Sequence, residues 1–85
     1  MLRDFERAVL QTCCREMHLS KARHVPEHTI VKRFPGAERE ARKALKKLVA
    51  KGYVGAHPTR GEMTYQLTDT GFKECQETAM NARGG

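Results

Sequence analysis

The sequence predicts a single small α+β domain that is mostly helical, with four helices and one β-hairpin. Apolar residues recur at helical spacing near the N-terminus, and residues 37–51 contain no glycine, proline or aromatic side chain. Residues 53–68 carry two strand-like segments around a turn, and a further helical pattern follows them. A chain of 85 residues fits one domain. We therefore expect one domain at residues 1–82 and a frayed tail at residues 83–85.

The first predicted helix runs from Leu2 to about His18. Its apolar residues recur every three or four positions, as in an amphipathic helix packed on a core. This stripe consists of Leu2, Phe5, Val9, Cys13 and Met17, widened by Leu10 and Cys14. The segment Leu19–His24 lacks the pattern and is expected to be a polar connection.

A short second helix is expected from Pro26 to about Arg33. Proline is tolerated in the first turn of a helix, because its missing N–H is not needed there. The helix should end before Pro35, which disfavours the helical conformation of Phe34. The expected buried residues are Ile30, Val31 and Phe34.

The third predicted helix, Ala37–Lys51, is the most informative segment. It is rich in strong helix formers, and Gly52 provides the left-handed stop expected just beyond a helix end. Its inner stripe consists of Ala37, Ala41, Ala44, Leu45, Leu48 and Val49. Its outer face carries Arg39, Arg42, Lys43, Lys46 and Lys47, with Glu38 and Glu40 near the positive end of the helix dipole.

A hairpin and a last helix follow. Tyr53–His57 can form a strand, and Pro58–Glu62 has the composition of a turn. Met63–Thr68 alternates apolar and polar residues, which is typical of a strand with one buried face. Thr68 is expected to cap the last helix, Asp69–Ala82. The inward residues of that helix would be Phe72, Cys75 and Ala79.

The net charge of +6 is concentrated in the middle third of the chain. Residues 32–60 contain nine Lys and Arg against two Asp and Glu, a net charge of +7. Residues 1–31 have a net charge of +1, and residues 61–85 have −2. A concentrated basic block indicates an oriented electric field and a polyanionic partner. A solvated helix face is the alternative explanation.

The three cysteines are Cys13, Cys14 and Cys75, with no CxxC pair. Adjacent residues point to different sides of a helix, so Cys13 and Cys14 suit neither a disulfide ladder nor a zinc knuckle. We expect reduced thiols that pack as small hydrophobic residues.

Two segments carry a family pattern. The run LKKLVAKGYV at Leu45–Val54 is similar to the end of a recognition helix, its glycine and the first strand of a wing. The run YQLTDTG at Tyr65–Gly71 is similar to a second wing strand that leads into a helix. With Val25–Phe34 as the positioning helix, the chain resembles the winged helix-turn-helix family of prokaryotic regulators, including the multiple-antibiotic-resistance and phenolic-acid types. The resemblance implies a three-helix bundle with a helix-turn-helix, a two-stranded wing at 53–68 and a C-terminal helix.

The resemblance also implies that helix 37–51 enters the major groove of double-stranded DNA, where base edges are readable. By family position, the residues facing the groove would be Glu38, Arg39, Arg42, Lys43 and Lys46. Arg39 and Arg42 suit bidentate contact with guanine, because a planar guanidinium matches its O6 and N7. Lys43, Lys46 and Lys47 suit phosphates, which set the register without reading sequence.

In the predicted wing, Arg60 lies at the hairpin tip beside Gly61. The family often lays such a residue along the DNA backbone or in the minor groove, whose negative potential attracts arginine. A solvated turn residue is the alternative for Arg60. His57 is either a further phosphate contact or a bystander.

Family precedent implies a homodimer through the first and last helices. Packing of these helices would also let Cys13 or Cys14 approach Cys75, within the core or across a dimer interface. A redox-sensing role would require an exposed thiolate with a lowered pKa.

The sequence contains no glycine-rich phosphate loop, HExxH, nucleophile elbow or paired CxxC. We therefore expect no enzyme activity, cofactor or metal, and no small-molecule site is evident. No apolar run approaches the roughly 20 residues that span a bilayer, and the N-terminus lacks a signal-peptide pattern. These features predict a cytoplasmic protein with no membrane partner.

The predicted function is sequence-specific binding of double-stranded DNA by a transcriptional regulator. Two alternatives remain open from the sequence. One is a winged-helix module that binds other proteins within a larger complex. The other is a non-specific nucleic-acid binder of the chromatin type.

Overall fold

A computed structural model describes residues 3–17 and 23–84, and the side chains of these residues as far as residue 77. The strands form one antiparallel sheet in the order β1-β3-β2. The elements are α1 (Asp4–Glu16), β1 (Val25–Pro26), α2 (Glu27–Val31), α3 (Glu38–Ala50), β2 (Val54–Pro58), β3 (Met63–Leu67) and α4 (Asp69–Gly84). The predicted mostly helical α+β fold is confirmed, with one additional short strand.

Some predicted boundaries differ from the observed ones. β2 lies one residue later than predicted, and α4 continues to Gly84 rather than ending at Ala82. Several predicted features lie outside the described residues, namely Leu2, His18, the connection from residue 19 to residue 22, residue 85 and the inward side chain of Ala79.

The start of the second helix is a correction of the sequence-based prediction. Pro26 lies in β1 with an extended backbone (φ −64°, ψ 150°), and α2 begins at the next residue. Val25 pairs with Tyr65, and Pro26 pairs with Thr64. β1 is an edge strand, where a residue without an N–H is tolerated. This pairing anchors the first turn of α2 to β3.

The core lies between α1, α2, α3 and the sheet. Its largest fully buried side chains are Val9, Leu10, Cys13, Met17, Ile30, Leu45, Leu48, Val54 and Leu67. Phe5 was predicted to lie in the inner stripe of α1, but it is 37% exposed. Its ring contacts Phe34 edge to face, with the ring centroids 5.4 Å apart. Phe5 therefore lies at the rim of the core, beside α3.

A Schellman motif ends α3. Gly52 has a φ of +86°, in the left-handed region that glycine adopts without a steric penalty. The N–H of Tyr53 donates to the carbonyl of Leu48 at 3.0 Å, and that of Gly52 donates to Val49 at 3.0 Å. These bonds satisfy the last carbonyls of the helix. The predicted glycine stop thus turns the chain directly into β2.

The start of α4 is tied to the end of α3. The Thr68 hydroxyl accepts a hydrogen bond from the N–H of Gly71 at 3.0 Å and donates one to the carbonyl of Gly52 at 2.5 Å. The N–H of Thr68 donates to the carbonyl of Tyr53 at 3.2 Å. Thr68 is therefore the predicted helix cap and also a link between the two family-like segments.

The cysteines are a second correction. Cys14 of α1 and Cys75 of α4 form a disulfide, with their Cα atoms 5.9 Å apart. Cys13 is a buried free thiol, and its burial raises its pKa to about 12. Arg7 and Glu74 form an ion pair at 3.4 Å across the same two helices. The approach to Cys75 that the family resemblance implied is observed for Cys14 within one chain, whereas the expectation of reduced thiols is wrong for Cys14 and Cys75.

Candidate nucleic-acid interface

The outer face of α3 is set by the burial of its inner face. Ala41, Ala44, Leu45 and Leu48 are buried, and successive residues of an α-helix are about 100° apart. The side opposite this stripe is centred on Arg39, Lys43 and Lys46, which are all exposed. We call these three residues the α3 stripe.

None of the three α3-stripe cations has a hydrogen-bond or ion-pair partner among residues 3–17 and 23–84. The other cations of α3 have such partners. This distinction follows from their position on the helix, because the stripe lies farthest from α1 and α2, which pack on the opposite and lateral sides of α3.

Arg42 lies on the α2 side of the stripe and is held by a carboxylate. Its Nε donates to Oε2 of Glu27 at 3.3 Å, and the Tyr65 hydroxyl donates to Oε1 of the same carboxylate at 2.7 Å. The side chain of Arg42 remains 51% exposed. Burial of Tyr65 and its bond to Glu27 raise the pKa of the phenol. Neither Glu27 nor Tyr65 was predicted to be a site residue, because no local sequence pattern connects them with Arg42.

Lys47 lies on the α1 side of α3 and is also paired. Its Nζ is 3.6 Å from Oε2 of Glu6, whereas Nζ of Lys51 is 2.8 Å from Oε1 of Glu6. Glu6 is buried, at 4% relative exposure, and its Oε1 also accepts from the backbone N–H of Arg3 at 3.4 Å. The hydrogen bond from Lys51 lowers the pKa of Glu6. Lys47 is therefore paired with α1 in the free protein, and Lys51 is paired with the same carboxylate, that of Glu6.

Replacement of Glu6 by glutamine should destabilise the fold near neutral pH. Because the contact with Lys51 lowers the pKa of Glu6, it stabilises the folded state above the ordinary glutamate pKa of about 4.3. That stabilisation is lost as the pH falls through the lowered pKa. Urea unfolding at several pH values should show a difference between Glu6→Gln and the unmodified protein that shrinks with acidification. A difference independent of pH would contradict the ionic role of Glu6.

The N-terminal turn of α3 carries the predicted site residue Glu38. Glu38 and Glu40 are both exposed, and the cap position, Ala37, makes no side-chain hydrogen bond. Acidic side chains are favourable at the positive end of a helix dipole. A carboxylate repels phosphate but accepts a hydrogen bond from the amino group of cytosine. Glu38 therefore suits a base edge and does not suit the DNA backbone.

The wing is short and is attached to α2. Thr59 closes its tip, where its N–H and hydroxyl donate to the carbonyl of Glu62 at 3.0 and 2.7 Å. The carboxylate of Glu62 lies 2.9 Å from Nδ1 of His28, and this contact lowers the pKa of Glu62. Arg60 is exposed at the tip, without a partner in the described part of the chain. His57 contacts the ring of His24 edge to face.

An open groove of about 190 Å³ lies between the start of α1 and α3. It is lined by Arg3, Phe5, Glu6, Glu40, Lys43, Ala44 and Lys47. The groove is next to the α3 stripe, and Lys43 belongs to both. Its walls carry both signs of charge.

Residues 3–17 and 23–84 contain neither a membrane-spanning helix nor a metal-binding cluster. No helix among them is both long and apolar enough to cross a membrane. Within the same ranges, no group of three or more His, Cys, Asp and Glu side chains is arranged to hold a metal ion.

Solved structures provide the comparison with known proteins. A mutant of TubR from type III plasmid segregation superposes with a TM-score of 0.62 at 14% identity, over 94% of this chain and 96% of that chain. A second TubR structure has a TM-score of 0.56 at 13% identity, over 92% and 88% respectively. The winged-helix fold is thereby confirmed. Similarity to the multiple-antibiotic-resistance and phenolic-acid types stays a prediction. No protein-family model matches the sequence, and no curated protein matches it either.

Proposed function

We propose that the chain binds double-stranded DNA in a sequence-specific manner, with α3 in the major groove, and regulates transcription without catalysis. The observation that carries this proposal is the α3 stripe. Its three cations share one exposed face and have no internal partner within the described residues. Cations in this state can replace the counterions of DNA phosphates without first giving up a protein contact.

Position along α3 separates the proposed roles. The N-terminal residues of a recognition helix contact base edges, so Arg39 and Arg42 are assigned to bases together with Glu38. Lys43 and Lys46 are assigned to phosphates. Lys47 reaches a phosphate only by leaving Glu6, and Arg60 is a single wing contact to the backbone or minor groove.

Lys46→Ala should weaken binding to all duplexes alike. Each lost phosphate contact makes the negative slope of log affinity against log salt shallower by about 0.9. Fluorescence anisotropy with a duplex selected from a random pool, at several salt concentrations, measures this slope. Lys73→Ala is the matched control, since it removes an exposed lysine from α4, a helix that is not assigned to the DNA contact. The slope should stay unchanged for this variant, and sedimentation equilibrium checks that its oligomeric state is the same.

The same titrations discriminate among the candidate functions. Absence of binding to every duplex at low salt would contradict DNA binding and favour a protein-interaction module. Equal affinity for selected and scrambled duplexes would instead favour a non-specific binder. The two similar structures come from plasmid segregation, so the same DNA contact would also suit a segregation role for this chain.

The proposed functional unit is a homodimer that contacts DNA through two symmetric half-sites. α1 and α4 are attached to each other by Cys14–Cys75 and by Arg7–Glu74, so they can present one combined surface to a second copy. Two-fold protein symmetry requires symmetric half-sites, spaced by about one helical turn of DNA or a multiple of it. Sedimentation equilibrium with and without the selected duplex measures the stoichiometry. One monomer on a site without a repeat would contradict the dimer.

A further inference from the structure

Glu27 contacts Arg42, the arginine of α3 that has a carboxylate partner, and Tyr65 contacts Glu27. Glu27 is the first residue of α2, and Tyr65 is a buried residue of β3. Val25, which lies two residues before Glu27, is opposite Tyr65 in the pairing of β1 with β3. The backbone position of Glu27 is therefore set by the sheet, and the hydrogen bond from Tyr65 holds its carboxylate.

Each carboxylate oxygen of Glu27 has a different partner. The Tyr65 hydroxyl donates to Oε1 at 2.7 Å, and Nε of Arg42 donates to Oε2 at 3.3 Å. Since the contact uses Nε, it leaves the two terminal NH₂ groups of Arg42 outside this bond. A guanidinium is planar, so a bond at Nε restricts the plane in which the terminal donors lie. Those donors match O6 and N7 of guanine only when the plane is oriented along the base edge.

We infer that Glu27, itself held by Tyr65, is a positioning residue that orients Arg42 for reading a base. This inference rests on the proposed DNA binding by α3. Glu27 acts through Arg42 and does not contact DNA. Immobilising a long side chain costs free energy on binding, and a partner in the free protein reduces that cost. Glu27 also carries a negative charge beside the DNA-facing helix, which repels the phosphates of every duplex, whereas only a duplex that engages Arg42 gains from its orientation.

The orientation of Arg42 and the negative charge of Glu27 together predict a specific result for Glu27→Gln. Discrimination between the selected duplex and a duplex changed at the base read by Arg42 should fall about two- to tenfold, the range expected from one mobile side chain. Affinity for scrambled DNA should stay the same or rise, because a negative charge is removed. A residue that only supports the fold would lower affinity for all duplexes together.

The experiment begins by identifying the base whose preference is lost in Arg42→Ala. Discrimination at that base is then measured at fixed salt for Glu27→Gln and Tyr65→Phe, each alone and combined with Arg42→Ala. Both single changes should reduce discrimination, and neither should reduce it further in the Arg42→Ala background. Glu16→Gln is the matched control, because it removes the partner of Arg33 at 2.9 Å and leaves Arg42 intact.

The results separate this inference from the proposed function. If the unmodified protein binds no duplex, both are overturned. If it binds specifically but Glu27→Gln and Tyr65→Phe leave discrimination at that base unchanged, only the positioning role is overturned. Thermal unfolding of each variant identifies any loss of folded protein, and Tyr65→Phe, which removes one hydroxyl group, serves as the second test if Glu27→Gln is unstable.

Discussion

Loss of the Cys14–Cys75 disulfide should lower the free energy of unfolding by about 4 kcal/mol, the chain-entropy estimate for a loop of this length. The two cysteines are 61 residues apart in sequence. The bond therefore restricts most of the unfolded chain and has little effect on the folded chain. Urea unfolding of the oxidised protein, compared with the Cys14→Ala/Cys75→Ala variant, measures the difference. At about 4–8 °C per kcal/mol for a domain of this size, the melting temperature should also fall markedly.

Thiol counting tests whether the bond forms. The oxidised native protein should react with no thiol reagent at neutral pH, because Cys13 is buried and its pKa is raised to about 12. Denaturation should expose one thiol, and reduction should expose three. Cys13→Ala is the control for the stability measurement, since it alters a buried cysteine and leaves the bond intact. Three reactive thiols in the oxidised, denatured protein would refute the disulfide.

Gly71→Ala should destabilise the domain by about 3 kcal/mol, at the upper end of the usual cost of overpacking. A Cβ at Gly71 would lie within van der Waals overlap of the backbone carbonyl of Tyr53, 2.9 Å from its carbon atom. That carbonyl accepts the N–H of Thr68 and cannot move without breaking this bond. Alanine is favoured over glycine in helices by about 1 kcal/mol, which is too small to offset the clash.

Gly61→Ala provides the comparison. A Cβ at Gly61, at the wing tip, has no heavy atom within 4 Å, so this change should have little effect on stability. Chemical denaturation of both variants measures the difference directly. Equal stabilities for Gly71→Ala and Gly61→Ala would show that α4 can shift away from Tyr53, and would contradict the close approach as the reason for glycine.

Gly52 and Thr68 illustrate how well the sequence predicted the scaffold. The glycine after α3 and the threonine before α4 act through local backbone conformation and capping, which depend on neighbouring residues. Their positions were therefore predictable, and the structure shows them bonded to each other through Gly52 and Thr68. The reason for Gly71 was not predictable, because Tyr53 approaches it only after the hairpin has folded.

The candidate site was predictable to a smaller extent. The basic face of α3 follows from helical periodicity, and all seven predicted site residues lie on α3 or at the wing tip. Their pairing does not follow from periodicity. Glu6 and Glu27 are distant in sequence from the cations that they hold, and an ion pair between distant segments has no local sequence signal.

By itself the sequence determined the order of the four helices and the two wing strands, the ends of α3 to within one residue, and the placement of positive charge on its outer face. Each depends on interactions within a few residues: apolar spacing, helix propensity and the conformation of glycine. The tertiary structure decided which cations are unpaired, how Arg42 is held, and which cysteines meet. These outcomes depend on how α1, α2 and the sheet pack around α3, and on the resulting distances between side chains far apart in the chain.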